Sequence, residues 1–436
     1  MVSLKQRRNI MAFLGMRGNG DWATDQRPKN WRQKILQLYP NGDAPLTAIL
    51  SMMKEESTDD PEFNWWTKSL ATQAATVTSV YTDILSTEYT TGGATGDTLF
   101  CKIGTEAACK EFRTGHQALL RNTNNFADDT NAKVTGVVLN GDASYITVKL
   151  LEGDPTTTGI ADCDRILIIG NINPEGGAMP QAIAYDPSKH SNYTQIFRTP
   201  LSITRTARKT RLRTGDQYRE AKREALELHS VEMEKAYLWG IKTETVGDNG
   251  KPERTTAGLV RTVIDNSGNV SDFTSDSDFA DTSWLSGGEE WLDIQLETIF
   301  RYGAQDRMAF AGTGVILAIN KLIKEYGNYE FNSKTTDYGI QVKSWVTPFG
   351  TLHIKIHPLF SYEVTNRNCM VVFDPADLRY RFIDDTTFFA DPDKQNTGRN
   401  RIDGTDEEYL TEAGLEFHHY AKTGFLSGFG SDNGTP

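Results

Sequence analysis

Between Arg198 and Thr214 the chain carries six basic residues and no acidic one, then passes directly into a long helical pattern of mixed charge, "GDQYREAKREALELHSVEMEKAYLWG". Read as a strand, the first segment places Arg205, Lys209, Arg211 and Arg213 on one face at period two with Leu201 and Ile203, and Arg208 on the other. Three settings suit such a strand: a solvated edge whose charges oppose aggregation, an acidic surface of another copy, and nucleic-acid phosphates. The second segment predicts a helix over 216–239, with Asp216 as its cap and Gly240 as its stop. Tyr218, Ala221, Ala225, Leu228 and Ala236 form one apolar stripe on it. Glu220 with Arg223, Arg223 with Glu227, and Glu232 with Lys235 are supportive pairs. Such a helix is about 36 Å long. Its apolar face is too narrow for the middle of a core, so it is expected to lie across a surface as a strut.

The 436 residues allow two or three modules, each with a core of its own. A hydrophobic content of 38% with 24% charged residues is that of a folded protein. The net charge of -12 disfavours a dedicated nucleic-acid binder, so any such contact has to be local. No apolar run approaches the roughly 18 residues of a membrane span, and the first residues lack the apolar stretch of a secretion signal, which predicts a product made in the cytosol. Cys101, Cys109, Cys163 and Cys369 form no Cys-x-x-Cys, which predicts buried thiols rather than a disulfide framework or a zinc site.

Residues 1 to about 60 scatter Gly, Pro and Asp among short amphipathic pieces, the pattern of an extended arm. Within it Trp31, Ile35, Leu38 and Tyr39 stand at helical spacing and would dock on the same subunit or on a neighbour. From about residue 75 to 214, alternation predicts a projecting β-ribbon or small barrel, with a tight hairpin at Asn140-Gly141-Asp142 and "DRILIIGN" as a buried-type strand. Beyond the long helix, "VGDNGKPERTTAGLVRTVID" reads as a glycine-bearing hairpin loop and a strand, and residues 266–283 as a polar linker. Then "EEWLDIQLETIFRYG" and "TGVILAINKLIKEYG", the latter capped by Thr313, read as helices, while "RMAFAG", "GTLHIKIHPLF" and "NCMVVFDP" read as strands. Together they predict a compact α/β domain, after which the tail returns to strands.

The chain carries no recognisable catalytic signature. "GDNGK" lacks the spacing of a phosphate-binding loop, and "AGTGVILAIN" has too few glycines for a dinucleotide site and reads as an ordinary strand-to-helix turn. His353 and His357 share a strand face four residues apart, and His418 and His419 point apart; both pairs are expected to be structural. Nothing in the sequence brings Asp384-Asp385 and Glu407-Glu408 together as an acid/base pair.

Arm, β-rich projection, long helix, glycine-bearing hairpin, α/β domain and returning strand form an order that resembles the Hong Kong-97-type fold of tailed-bacteriophage major capsid proteins. The segments "MAFLGMRGNGDWATDQRPKNWRQKILQLYPNGDAPLTAIL", "DDPEFNWWTKSL", "FRTGHQALLRN", "YTQIFRTPLSITRTA", "EKAYLWGIKTE" and "ERTTAGLVRTVI" are similar to one branch of that family and together cover most of the chain. The resemblance starts at Met11, which implies that residues 1–10 lie upstream of the usual start.

An α+β capsid fold is implied. Residues 1–65 would be an N-terminal arm crossing to a neighbour, and 66–214 an extended loop enlarged by a small β domain. Residues 215–285 would be a peripheral domain with a long spine helix and hairpin loop, 286–375 an axial domain, and 376–436 the return strands and tail. A shell protein of the virion is implied, assembled in the host bacterial cytoplasm from hexamers and pentamers of itself. Its icosahedral capsid would enclose double-stranded DNA without sequence-specific binding, alongside portal and scaffold or cement proteins, with no cofactor, metal, membrane or catalytic residue. Contact between subunits is expected at Trp31, Ile35, Leu38, Arg198, Arg205, Arg208, Lys209, Arg211, Arg213, Tyr218, Arg219, Arg223, Glu227 and Glu232. An encapsulin-like compartment shell and a phage tail or decoration component are the alternatives.

Overall fold

The computed structural model describes residues 46, 50, 55–68, 72–154, 159–177, 179–180, 182–183, 187–210, 216–266, 269–326, 332–337, 340–390 and 404–434. Two compact units divide the chain, Trp66–His190 and the remainder on either side of it. The chain enters the described part through β1 (Glu55–Ser57) and β2 (Glu62–Thr67). The smaller unit holds β3 (Ala74–Tyr81), β4 (Thr98–Ile103), α1 (Glu106–Cys109), β5 (His116–Asn122), β6 (Asn125–Val138), β7 (Tyr145–Leu150) and β8 (Arg165–Asn171). Then come β9 (Ser188–Tyr193), β10 (Gln195–Thr204), α2 (Arg205–Lys209), α3 (Gln217–Trp239), β11 (Thr243–Val246), β12 (Pro252–Thr255), α4 (Leu259–Asn266), β13 (Val270–Asp272) and α5 (Trp284–Phe300). The chain ends through β14 (Asp306–Ala311), α6 (Thr313–Tyr326), β15 (Asn332–Asp337), β16 (Ile340–Val346), β17 (Thr351–Ile356), α7 (Pro358–Tyr362), β18 (Met370–Phe373), β19 (Leu378–Phe389), β20 (Gly404–Phe417) and β21 (Gly424–Ser427). This is an α+β protein.

The smaller unit is a closed barrel of strand order β3-β4-β7-β6-β5-β8. Alternation drives it: Leu99, Cys101, Ile103, Leu120, Val134, Ile146 and Val148 point inward and are essentially fully buried. Opposed Ala118 and Ala132, both 0% exposed, keep the interior narrow enough to fill. The β6–β7 hairpin turns at Gly141, whose φ of +52° only a residue without Cβ adopts cheaply. The apolar run of β8 is not buried on both faces as a parallel-type strand would be. Ile166 is buried but Ile169 is 53% exposed, because barrel closure covers one side only.

The larger unit holds a four-stranded sheet, β1-β19-β20-β10, and a seven-stranded sheet, β13-β21-β18-β14-β17-β16-β15. The seven-stranded sheet draws β13 and β21 from outside residues 286–375. Its two faces serve two cores. Met308, Phe310, Val371 and Phe373 pack with Met233, Tyr237 and Leu238 of α3, whereas Ala309, Ala311, Met370 and Val372 pack with Trp284, Trp291 and Leu296 of α5 and Val315 and Ala318 of α6. "LVRTVID" forms the helix α4, not a strand: Leu259, Val260 and Val263 recur at helical spacing and are buried. The paired strands β11 and β12 are the expected hairpin.

Candidate assembly surface

β10 lies antiparallel to β20, from Gln195 opposite Ala413 to Thr204 opposite Gly404. Its inward residues, Phe197, Thr199, Leu201 and Ile203, are buried, and Ile196 and Arg198 face outward. Opposite the basic run this register sets the acidic block Asp406-Glu407-Glu408 of β20. The Arg198 guanidinium donates to both carboxylate oxygens of Glu408, at 2.8 and 2.7 Å. One charge of the run is therefore neutralised within its own chain.

The strand stops at Thr204, whose hydroxyl accepts from the Ala207 backbone N–H at 3.2 Å and starts α2. Arg205, Arg208 and Lys209 thus stand on a helical turn, exposed, and not on the strand face that period two predicts. Arg208 lies over the Tyr218 ring, 4.8 Å from its centroid, and the Tyr218 hydroxyl donates to Glu407 at 2.5 Å. That hydrogen bond, with burial, pushes the phenol up to about 12. Arg211 and Arg213, like Trp31, Ile35 and Leu38, lie outside the described residues.

Asp216 caps α3 as expected, accepting from the Tyr218 N–H at 3.0 Å, and Gly240 ends it. Arg219 reaches Asp216 at 3.7 Å, and Arg223 pairs with Glu227 at 3.3 Å. Lys222 sits 3.4 Å from the centroid of the Phe388 ring. Glu232 is exposed.

The buried face of α3 differs from the expected stripe. Leu228 is 56% exposed, and the face turned inward is Ala225, His229, Met233, Glu234, Tyr237 and Leu238. Two of these are polar, which hides the face from a hydropathy pattern. The His229 Nε2 bonds the Thr411 hydroxyl at 2.8 Å and Nδ1 the Thr199 hydroxyl at 3.0 Å. Since Thr411 donates onward to Thr386, Nε2 carries the proton and Nδ1 accepts from Thr199. Glu234 accepts from the Leu46 N–H and from His357 Nε2, both at 2.8 Å. The helix is mostly exposed over its N-terminal half and sinks into the core toward its C-terminal end, where Tyr237 and Leu238 are 0% exposed.

The remaining titratable groups hold the fold together. His357 does not share the strand face of His353: β17 ends at Ile356, and His357 Nδ1 accepts from the Leu359 N–H at the start of α7. Glu56 of β1 bridges Arg379 at 3.0 Å and Arg381 at 2.6 Å, and Arg381 also meets Glu416, which binds His418. Burial alone would raise the Glu416 carboxyl, but bonds from His418 and Arg381 hold it below its ordinary value. All four cysteines are free and buried, and burial pushes Cys109 and Cys369 up to about 11 and Cys163 to about 12. The glycines of "AGTG" serve the chain itself: a Cβ at Gly312 would collide with the Arg367 carbonyl, and one at Gly314 with the Asn368 side chain. Among the described residues no three metal-ligating side chains converge, and no helix is long and apolar enough to cross a membrane.

What the geometry presents outward is therefore a cationic turn, α2 with Arg205, Arg208 and Lys209, beside the mixed-charge first turns of α3. Residues 16–430 match the family model described as SU10 major capsid protein. The major capsid protein of Pseudomonas phage PaMx41 is 25% identical over 393 residues, 87% of this chain and 85% of that relative. Among solved structures, one from Microbacterium phage Oxtober96 is 10% identical with a TM-score of 0.44, over 96% of this chain and 99% of the other. The holo-SrpI encapsulin of Synechococcus elongatus PCC 7942 is 11% identical with a TM-score of 0.38, over 57% of this chain and 77% of the other.

Proposed function

From membership of the SU10 major capsid protein family, to which this chain belongs, we propose that copies of it close into hexamers and pentamers of an icosahedral phage shell around double-stranded DNA. The observation that carries the reading is that the family match, over residues 16–430, runs across both compact units. On the Hong Kong-97-type plan, α3 is the spine of a peripheral domain over 215–285 with returning strands from 376–436. Residues 286–375 are the axial domain, 66–214 the extended loop whose enlargement is the barrel, and 1–65 the arm. The role is structural, not enzymatic. Many weak contacts repeated around a closed lattice give high avidity without any strong pairwise site. The net charge of -12 suits a wall that must not grip packaged DNA tightly. Arg205, Arg208, Lys209, Tyr218, Arg219, Arg223, Glu227 and Glu232 are the described residues we assign to contact between subunits. Arg198, already held by Glu408, contributes least. Assembly belongs in the host cytoplasm with portal and scaffold or cement proteins, and the product in the virion.

Electron microscopy of the purified full-length chain tests this. Closed icosahedral particles are expected, and particles from infected cells should protect DNA from nuclease. Tubes, shells filled with a protein cargo, or a chain that stays monodisperse at high concentration would each overturn it.

A further inference from the structure

The basic run has an acidic counterpart elsewhere in the larger unit. Between Arg261 and Arg301 the chain carries nine carboxylates and no lysine or arginine. Some of these cap local turns, as Asp272 and Asp276 do. Along α5 the carboxylates crowd one another: exposed Glu290 is three residues from Asp293, and Asp293 and Glu289, one turn apart, are half-buried beside Ile319, Leu322 and Ile323 of α6, spacings at which like charges repel. Burial and the nearby Glu289 hold the Asp293 carboxyl above its ordinary value. The arginine that follows the helix, Arg301, is bound to Glu297 at 2.9 Å. Two exposed aliphatic side chains, Leu285 at 43% and Ile294 at 48%, flank these acids on opposite sides of the helix, nine residues apart.

Neighbouring residues of β14 separate α5 from α3 within a chain. Ala309 and Ala311 point to α5 and α6, whereas Met308 and Phe310 point to α3. The acids of α5 and the C-terminal part of α3 therefore lie on opposite sides of this sheet, and the basic side chains stand further off, on α2 and the N-terminal end of α3 beside β10 and β20. Self-complementary faces arranged this way associate head to tail, and a head-to-tail contact between copies generates rings when its rotation closes.

We propose that the outer face of α5, through Glu289, Glu290 and Asp293 with Leu285 and Ile294 beside them, docks on Arg205, Arg208, Lys209 and Arg219 of the next copy. The inference rests on the capsid reading and adds to it the partner surface for the basic segment. Opposite charges steer and register the contact.

Charge reversal on the full-length chain is the test. Glu290→Lys with Asp293→Lys, and separately Arg208→Glu with Lys209→Glu, should each raise the concentration at which particles form by about tenfold or more. Combining both reversals in one chain restores opposite faces and should bring assembly back to the wild-type range. An acid-face variant that assembles like wild type overturns the pairing. So does a combined chain no better than either parent, with circular dichroism showing both folded. The neutral pair Glu290→Gln with Asp293→Asn covers the case of misfolded reversals: a severalfold shift is expected, and none overturns the proposal. If only the basic-face reversal acts, and it acts by lowering the DNA content of normal particles, the face belongs to nucleic acid and the proposal falls. Wild-type shells indifferent to every reversal would sink this pairing alone, whereas a wild-type chain that never associates would sink the capsid reading.

Discussion

The barrel and the core beneath α3 both exclude water, but they are held by different means. The barrel packs mostly aliphatic, alanine and cysteine side chains contributed by strands close in sequence, β3 to β8, and its buried hydroxyls bond locally, Thr130 to the Asp128 carbonyl and Ser144 to that of Gly141. The core beneath α3 gathers segments hundreds of residues apart and fastens them through buried polar groups. Glu234 holds both Leu46 and His357, and His229 holds both Thr199 and Thr411. Asn192 donates to the Leu415 carbonyl at 2.7 Å and to Thr256 at 3.1 Å. An aliphatic interior tolerates rearrangement so long as volume is kept, whereas a hydrogen-bonded one accepts a single arrangement. The barrel is thus built for bulk cohesion, and the α3 region for fixed placement of distant segments.

The largest expected effect tests the barrel side. Leu120→Ala, at a position 1% exposed, removes a side chain from a filled lumen and should cost about 3 kcal/mol. Hydrogen exchange on the full-length chain should show protection lost over β3 to β8 and kept over α3. Equal loss in both places would mean that one cooperative structure spans the molecule, and the contrast would be broken.

Much of this division is visible in the sequence. Hairpin chemistry at Asn140-Gly141 and strict alternation around it identify the barrel, and the cap and stop of α3 are legible to the residue. What escapes is whatever depends on a partner far along the chain. Neither His229 nor Glu234 looks like a core residue until Thr411 and His357 arrive, so hydropathy assigns the face to Leu228 instead. Likewise the basic run reads as a continuing strand because the Thr204 cap is a weaker signal than six positions at period two. Its partial neutralisation depends on β20, some two hundred residues later.

A smaller effect sharpens the polar side of the contrast. Burial lowers the His229 imidazole below its ordinary 6.5, so the folded chain resists a proton that the unfolded chain accepts. Its contribution is whole above that value and is lost as pH falls from about 6.5 toward the depressed folded value. His229→Gln should lower stability by about 1 kcal/mol at pH 7 and flatten the fall of the unfolding midpoint between pH 7 and pH 5. His116 of the barrel, lowered by burial and by Arg113, accounts for slope that remains. An unchanged slope in the variant would mean that burial does not hold His229 neutral.

The smallest effects compare an ion pair in each unit. Arg198 grips Glu408 in the larger unit, and Arg121 grips Asp129 through three bonds, the shortest at 2.7 Å, in the barrel. Both pairs are open to water, with the Arg198 side chain 61% and the Arg121 side chain 32% exposed. Solvent screening and the entropy of holding long side chains leave such pairs little net value. Arg198→Ala should therefore cost about 0.5 kcal/mol in denaturant unfolding. It should also leave assembly unaltered, because its charge is matched at home while those of Arg208 and Lys209 face outward. Arg121→Ala should be similarly mild. Matching losses would place the difference between the two units in what each buries rather than in its surface pairs, whereas a failure of Arg198→Ala to assemble would move the edge of β10 into the contact surface.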